Sequence, residues 1–313
     1  MITVICPTYN EEENIEYVLK FFVESPPREK ELLIVDGGST DKTREIVKEW
    51  QRKNDNIRLI SNPDKYVPFA LNLGIKSSNG DPIIRLDAHT RYEKKYFEKI
   101  IETFKKTGAD IVGGPMNAVG KTDFQKAVAY ATSTVFGVGD SKIHQAEYEG
   151  ESDHVYLGAW HRKLFADIGY FDERLKRNQD DELHYRARSR GKKIYLNPEI
   201  KSSYYPRESF KSLIAQYFQY GLYKPIVLKK IKSETKLRHF IPTLYTIYII
   251  GLPISILFLK YSTLLVVYVL FDFYFSFKLK KSFKSKLDCL LIYPAIHLSY
   301  GLGFLIGLFK PNR

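Results

Sequence analysis

With 313 residues the chain has enough length for one sizeable α/β domain of about 240 residues and a further region. Its 2 cysteines, Cys6 and Cys289, exclude a disulfide framework, and the soluble part fits a reducing compartment. The net charge of +12 admits nucleic acid or anionic lipid as partners. The lysines cluster at Lys229, Lys230, Lys232 and Lys236 and again at Lys278, Lys280, Lys281, Lys284 and Lys286. Both clusters flank apolar spans, so lipid is favoured and nucleic acid is not expected. The mean hydropathy of -0.28 hides a division: polar and apolar segments alternate up to about residue 239, and the rest is mostly hydrophobic. The apolar start, residues 1–6, is too short for a cleavable signal peptide and runs into Pro7 and a polar loop.

In chain order, residues 2–6 read as a strand, and residues 14–23 as a helix with Ile15, Val18, Leu19 and Phe22 on one face. Pro26-Pro27 ends that helix. Residues 31–35 form a second strand, closed by Asp36-Gly37-Gly38, and Thr40 or Asp41 is placed to cap a helix over 42–54. A strand over 57–61, a helix over 69–77 and the apolar run 82–86 follow. This alternation through short loops predicts an α/β fold with a doubly wound, mostly parallel sheet. Ligands of such sheets sit beyond the carboxyl ends of the strands. Pro7-Thr8-Tyr9-Asn10, Asp36-Gly37-Gly38-Ser39 and Asp87-Ala88-His89 all fall there.

The next stretch is less regular. It reads as a helix over 96–106, a strand over 110–114, a helix over 122–135 and a glycine- and charge-rich loop or lid over 137–153. A short strand over 154–158 leads into Ala159-Trp160, and helices follow over 162–168 and 179–190. Residues 208–231 are amphipathic and suited to a membrane surface, with Pro225 expected to break the helix in two. Residues 240–259, 261–277 and 287–309 are apolar enough to predict about three transmembrane helices, the first two joined as a hairpin at Lys260. Both lysine-rich loops then lie on the side of the soluble domain, which places that domain in the cytoplasm and the chain in the cell membrane as a multi-pass protein. The competing expectation is a buried helical subdomain. Asp272, inside the second span, is expected to face a helix partner or an interface. The predicted boundaries are 1–207 for the soluble domain, 208–239 for interfacial helices and 240–313 for the membrane region.

Asp87 and His89, two residues apart where a strand ends, can turn toward one divalent cation. Oxygen ligands suit Mg2+, and an imidazole shifts the preference toward Mn2+. A cation there can neutralise a diphosphate leaving group. Asp36, beside two glycines that let a ligand approach the backbone, can accept from a base N–H or a ribose hydroxyl, or simply close a tight turn. Gln179-Asp180-Asp181-Glu182 puts three acids at a helix start, where the dipole accounts for one or two of them. Glu182 and Arg186, four apart, can pair along the helix. His144 and His154 read as surface residues. Trp160 reads equally as a sugar-stacking platform or as core. No glycine-rich stretch matches a P-loop or a dinucleotide fingerprint.

Taken together, Cys6-Pro7-Thr8-Tyr9-Asn10-Glu11-Glu12, Val35-Asp36-Gly37-Gly38-Ser39-Thr40-Asp41, Asp87-Ala88-His89 and Asn178-Gln179-Asp180-Asp181-Glu182-Leu183 resemble the family-2 glycosyltransferases, inverting enzymes of the GT-A fold. The resemblance covers residues 1 to about 225. Many members have a second Asp where Gly37 stands, and Asp-x-Asp where His89 replaces the second Asp. The His variant looks like the succinoglycan-type membrane glucosyltransferases, in which an acidic pair occupies the place of Gln179-Asp180. The resemblance implies that Pro7, Tyr9, Glu11, Asp36 and Asp87 hold the nucleotide, that Asp87 and His89 hold Mn2+ or Mg2+, and that Asp180 is the catalytic base. Gln216-Tyr217-Phe218-Gln219-Tyr220 keeps the Gln of the processive synthases' Gln-x-x-Arg-Trp motif without the Arg-Trp, which implies transfer of one sugar per encounter. Gln216, Tyr220 and Trp160 are the residues expected at the acceptor or sugar. The implied reaction moves a sugar from a nucleotide sugar, first of all a UDP-sugar, to a lipid-linked acceptor in exopolysaccharide or glycan assembly. Alternatives are transfer to polyprenyl phosphate itself and a non-catalytic nucleotide-sugar-binding membrane protein. Donor sugar, linkage, protein partners and oligomeric state are left open.

Overall fold

The computed structural model describes residues 1–255 and 259–310. In chain order the elements are β1 (Ile2–Thr8), α1 (Ile15–Glu24), β2 (Lys30–Asp36), α2 (Thr43–Gln51), β3 (Ile57–Ser61), α3 (Val67–Ser77), β4 (Ile83–Arg85), β5 (Arg91–Tyr92), α4 (Tyr96–Thr107) and β6 (Ile111–Gly114). Then come α5 (Asp123–Ala131), α6 (Val135–Val138), β7 (Gly150–Glu151), β8 (Tyr156–Trp160), α7 (Arg162–Ile168), α8 (Gln179–Ser189), β9 (Ile194–Leu196) and β10 (Ser202–Ser203). The chain closes with α9 (Phe210–Lys230), α10 (Ile241–Ser255), α11 (Leu259–Lys278) and α12 (Phe283–Leu308). Two compact units form: residues 1–117 with 145–204, and residues 118–144 with the chain from Tyr205 on. The segment 118–144, assigned by sequence to the first domain, clusters with the C-terminal helices.

The first unit is built on an eight-stranded sheet in the order β3-β2-β1-β4-β8-β6-β9-β7. β1 pairs in parallel with β2 and β4, β2 with β3, and β6 with β9, whereas β8 runs antiparallel between β4 and β6. The sheet is therefore mostly parallel, as the alternation of elements predicts. β1 and β2 are apolar on both faces because helices cover both. Ile15, Val18, Leu19 and Phe22 of α1 are buried against Val4, Cys6, Leu32 and Ile34 in one core. Gly74 of α3 lies against the Ile5 side chain, where a Cβ would collide. Pro7 and Thr8 continue β1 beyond its expected end and pair with Val35 and Asp36. Cys6 and Cys289 are both free thiols.

In the second unit α9 runs unbroken through Pro225, contrary to the expected break. Close packing against α12 supports it: Gly221 faces the Tyr300 carbonyl, Gly303 the Phe218 carbonyl and Gly307 the Leu222 carbonyl. Glycines at these crossings let the two backbones approach, and tertiary packing overrides the local cost of proline. Residues 122–135 do not form one helix. A capping box between Thr122 and Gln125 starts α5, the helix stops at Ala131, and Thr134 caps the short α6. Among the described residues one helix, Phe283–Leu308, is long and apolar enough to cross a membrane. The hairpin expected at Lys260 falls beside residues 256–258, which lie outside the described residues; Lys260 itself is in the first turn of α11.

Candidate active site

The three loops leaving β1, β2 and β4 meet at one edge of the sheet. The side-chain oxygen of Asn10 accepts from the Thr40 amide at 2.9 Å, and the Asn10 amide donates to Ser39 Oγ at 2.9 Å. The Glu12 amide donates to the Asp41 carboxylate at 3.1 Å, and the Lys42 amide donates to the Glu12 carboxylate at 2.9 Å, across the same gap. The third loop joins through His89, whose Nδ1 lies 3.3 Å from Glu11 Oε1.

At the centre stands Arg85, which the sequence reading passed over. Its Nε and Nη2 donate to the two oxygens of Asp87 at 2.8 and 3.1 Å, and its Nη1 donates to both oxygens of Asp180 at 2.9 Å. Arg85 is 7 % exposed, Asp87 18 % and Asp180 27 %, so the base candidate keeps more access to solvent than the residues that hold it. One signal was present: a cation inside the apolar run Ile83-Ile84-Arg85-Leu86, on the strand face that Asp87 shares by its period of two.

The two carboxylates around this one cation diverge. Burial disfavours the charge on Asp87, but Arg85 and then His89 outweigh it and hold Asp87 below the ordinary carboxylate range. On Asp180 burial is the largest influence and wins, with Asp87 adding repulsion, so its acidity falls despite Arg85 and His154. Neighbouring acids pushed in opposite directions divide naturally into a permanent anion and a proton acceptor.

The other expected site residues are placed as follows. Pro7 is half-buried in β1. Tyr9 is 47 % exposed just past that strand, with the Lys65 ammonium 5.7 Å from its ring centroid. Glu11 Oε2 accepts from Asn14 at 3.0 Å. Asp36 is fully buried, and its carboxylate accepts from the Gly38 and Ser39 amides and the Ser39 hydroxyl, with Arg44 at 3.6 Å. It thus closes its own turn. Gly38, at φ +82, supplies the backbone conformation that this turn requires. Trp160 is fully buried against Phe165 and Phe171, away from solvent. Gln216 and Tyr220 lie one turn apart on α9 in the second unit, hydrogen-bonded to each other at 2.9 Å.

The donor set at Asp87 and His89 suits a hard or borderline divalent cation. Each Asp87 oxygen accepts one guanidinium bond and keeps a further lone pair, and the His89 side chain is 54 % exposed. Among the described residues no three His, Cys, Asp or Glu converge on one point. A cation held by Asp87 and His89 would take its other oxygens from a diphosphate and water.

Residues 3–169 match the family model described as glycosyl transferase family 2. The succinoglycan biosynthesis protein ExoA of Rhizobium meliloti (strain 1021) is 32 % identical over 242 residues, 76 % of this chain and 73 % of that protein. A dolichyl N-acetyl-alpha-D-glucosaminyl phosphate glucuronosyltransferase of Methanococcus voltae, acting on a diacetamido sugar by its name, is 34 % identical over 239 residues, 73 % of this chain and 74 % of that one. Among solved structures, the mannosyltransferase PcManGT from Pyrobaculum calidifontis, in complex with GDP-Man and Mn2+, superposes with a TM-score of 0.69 at 15 % identity, over 98 % of this chain and 87 % of that one. S. aureus TarS 1-349 with UDP-GlcNAc gives a TM-score of 0.55 at 16 % identity, over 96 % and 91 %. The sheet is that of the GT-A fold, and the chain belongs to glycosyl transferase family 2.

Proposed function

We propose that this chain is a membrane-anchored, inverting hexosyltransferase that moves one sugar from a nucleotide diphosphate sugar, first of all a UDP-sugar, to a hydroxyl of a lipid-linked acceptor. The observation that carries this reading is Arg85, which ties Asp180 to the strand end that bears Asp87. Asp180 accepts the proton of the acceptor hydroxyl. The acceptor oxygen then bonds to the anomeric carbon on the face opposite the nucleotide, and the bond to the diphosphate oxygen breaks with its electron pair, inverting the centre through an oxocarbenium-like state. Asp87 and His89 would hold Mn2+ or Mg2+, whose contribution is to neutralise the diphosphate. Tyr9 and Glu11, on the loop knitted to Asp36 and its turn, face the nucleotide.

The membrane part rests on what the C-terminal helices expose. Ile241, Leu244, Ile247 and Ile250 of α10 are each half or more exposed, and so are Leu264, Val266, Leu270, Phe271 and Phe273 of α11. So much outward apolar surface suits lipid better than water. A lipid-linked acceptor accords with the dolichyl phosphate in the name of the Methanococcus relative and with the lysine clusters beside the helices.

The test is a thermal-shift screen of nucleotide sugars against the full chain, with and without Mn2+. One donor, with the metal, should raise the melting temperature, and turnover of that donor with a polyprenyl-linked acceptor should yield an extended lipid-linked sugar. Absence of any nucleotide-sugar shift with metal present contradicts the donor site. A sugar monophosphate lipid as product moves the acceptor to polyprenyl phosphate itself.

A further inference from the structure

One polar side chain on the buried face of α3 has no part in the mechanism above. Asn72 is 4 % exposed and stands among Ala70, Leu71, Gly74 and Ile75, all buried. Its side-chain oxygen accepts from the Phe171 amide at 2.9 Å, and its Nδ2 donates to the Phe171 carbonyl at 2.9 Å and to Glu173 Oε1 at 2.8 Å. The Phe171 amide can only donate, so the carboxamide oxygen faces it and the orientation of Asn72 is fixed. Both backbone groups of Phe171 are thus satisfied inside the protein by a residue 99 positions earlier.

Two further contacts lay the same segment along α3. Lys76, in the last turn of that helix, holds its ammonium 5.2 Å from the centre of the Tyr170 ring. The Lys176 ammonium donates to the hydroxyl of Tyr66, the N-cap residue, at 2.7 Å. Residues 170–176 therefore run antiparallel beside α3 and deliver the chain to the start of α8. Both of these helices are anchored. α3 is seated on the sheet at Gly74, where the Ile5 side chain leaves no room for a Cβ. α8 is tied to the beginning of the segment by Arg186, which donates to the carbonyls of Ile168, Gly169 and Tyr170. The same guanidinium holds both oxygens of Glu182 at 2.9 Å, in the turn that also carries Asp180. Arg85 reaches that turn from β4 through Asp180 itself. Asp180 thus ends a series of rigid contacts that runs from β1 through Gly74, Asn72, Phe171 and Arg186.

We propose that Asn72 is a positioning residue for sugar transfer: its carboxamide locks Phe171 and Glu173 to α3 and so fixes where α8 presents Asp180. This rests on the reading of Asp180 as base. The loops of β1, β2 and β4, expected to face the donor, are joined by contacts of their own and do not depend on this lock. Without the carboxamide, the Phe171 amide and carbonyl are left buried and unpaired, and the segment must shift to find other partners. A displacement of about 1 Å at a reacting group can slow a reaction by about 10²-fold. The expected signature is a fall in kcat with donor affinity retained. A residue that only stabilises the fold lowers the melting temperature and leaves the kcat of the folded enzyme alone.

The experiment compares full-length wild type, Asn72→Ala, Asn72→Ser and Asp180→Asn, using the donor selected by the thermal-shift screen, Mn2+ and a polyprenyl-linked sugar as acceptor. It reads kcat at saturating substrates well below the melting temperature of each variant, together with donor affinity. Asn72→Ala should lower kcat by about 10- to 100-fold and leave donor affinity unchanged. Wild-type kcat in folded Asn72→Ala overturns the proposal. An equal loss of donor affinity also overturns it, because the segment would then act on the donor. Should Asn72→Ala not fold, Asn72→Ser, which keeps one hydroxyl for Phe171, decides by the same two readouts. An Asp180→Asn enzyme with wild-type turnover sinks the base assignment, whereas a slow Asp180→Asn beside an undiminished Asn72→Ala sinks only the role of Asn72.

Discussion

The Arg85 guanidinium donates to both carboxylate oxygens of Asp180 at 2.9 Å, although 95 positions separate the two residues in the chain. The same side chain grips Asp87 from its other edge. One planar cation with a fixed fork of donors thus sets the spacing between the strand end expected to face the diphosphate and the helix start expected to face the acceptor.

Replacing Arg85 tests that linkage. Arg85→Met leaves two largely buried carboxylates facing each other without a counter-charge, and should destabilise the fold by about 3 kcal/mol or more. Arg85→Lys keeps the charge but not the fork. It should recover much of the melting temperature while sugar transfer stays impaired, because a single ammonium cannot hold both carboxylates in register. Melting curves and transfer assays on the two variants check this, and a fully active Arg85→Lys enzyme speaks against a positioning role for the fork.

The acidity of Asp180 predicts the acid side of the pH profile. A base works only when ionised, and burial places the carboxyl of Asp180 above the ordinary carboxylate range. Activity should therefore be present above that raised pKa and fall as the pH drops through it, earlier than for an ordinary aspartate. Asp87 has the opposite sign. Its pKa in the folded state is depressed, so it contributes stability that is present above its unfolded pKa and lost as the pH falls through the folded value. Transfer should thus fail on acidification before the fold does. Parallel measurements of kcat/KM and melting temperature against pH would show the two losses separated, and coincident losses would contradict the assignment.

Chelation should abolish transfer, and Mn2+ or Mg2+ should restore it. His89→Asn should weaken metal-dependent donor binding while leaving the melting temperature of the ligand-free protein nearly unchanged, since His89 is 54 % exposed and touches Glu11 at 3.3 Å. Titration of donor binding against metal concentration reads this directly, and a His89→Asn enzyme with an unaltered metal requirement removes His89 from the site.

Gly303 provides a test of the second unit. A Cβ there would collide with the Phe218 carbonyl of α9, and Gly221 and Gly307 leave no slack on either side. Gly303→Leu should force α9 and α12 apart and lower the melting temperature by several degrees, a penalty in the range of about 1–3 kcal/mol for overpacking. An unchanged melting temperature would mean that the helices are not held at these glycines.

How far the chain could be read without coordinates differs from element to element. The alternating strands and helices, with period-two and helical apolar patterns, yielded the sheet and the edge at which its loops meet, because burial of one face dominates those segments. The Asn10–Thr40 and Glu11–His89 contacts then knit loops that were expected to converge. Arg85 escaped notice because its meaning lies in a partner 95 residues away, and local pattern carries no such distance. The readings of Asp36 and Trp160 were divided between ligand and scaffold. Burial places both side chains inward, Asp36 on its own turn and Trp160 on Phe165 and Phe171. Pro225 was expected to break a helix that packing against the glycines of α12 keeps whole.

The central claim is that Asp180 takes the acceptor's proton while the donor is held elsewhere. Single-turnover sugar transfer by Asp180→Asn, measured beside donor binding by the same protein, tests it most directly. The account predicts transfer slowed by roughly 10²–10⁴ with donor affinity retained. Transfer at the wild-type rate by a folded Asp180→Asn protein that binds donor normally would contradict it.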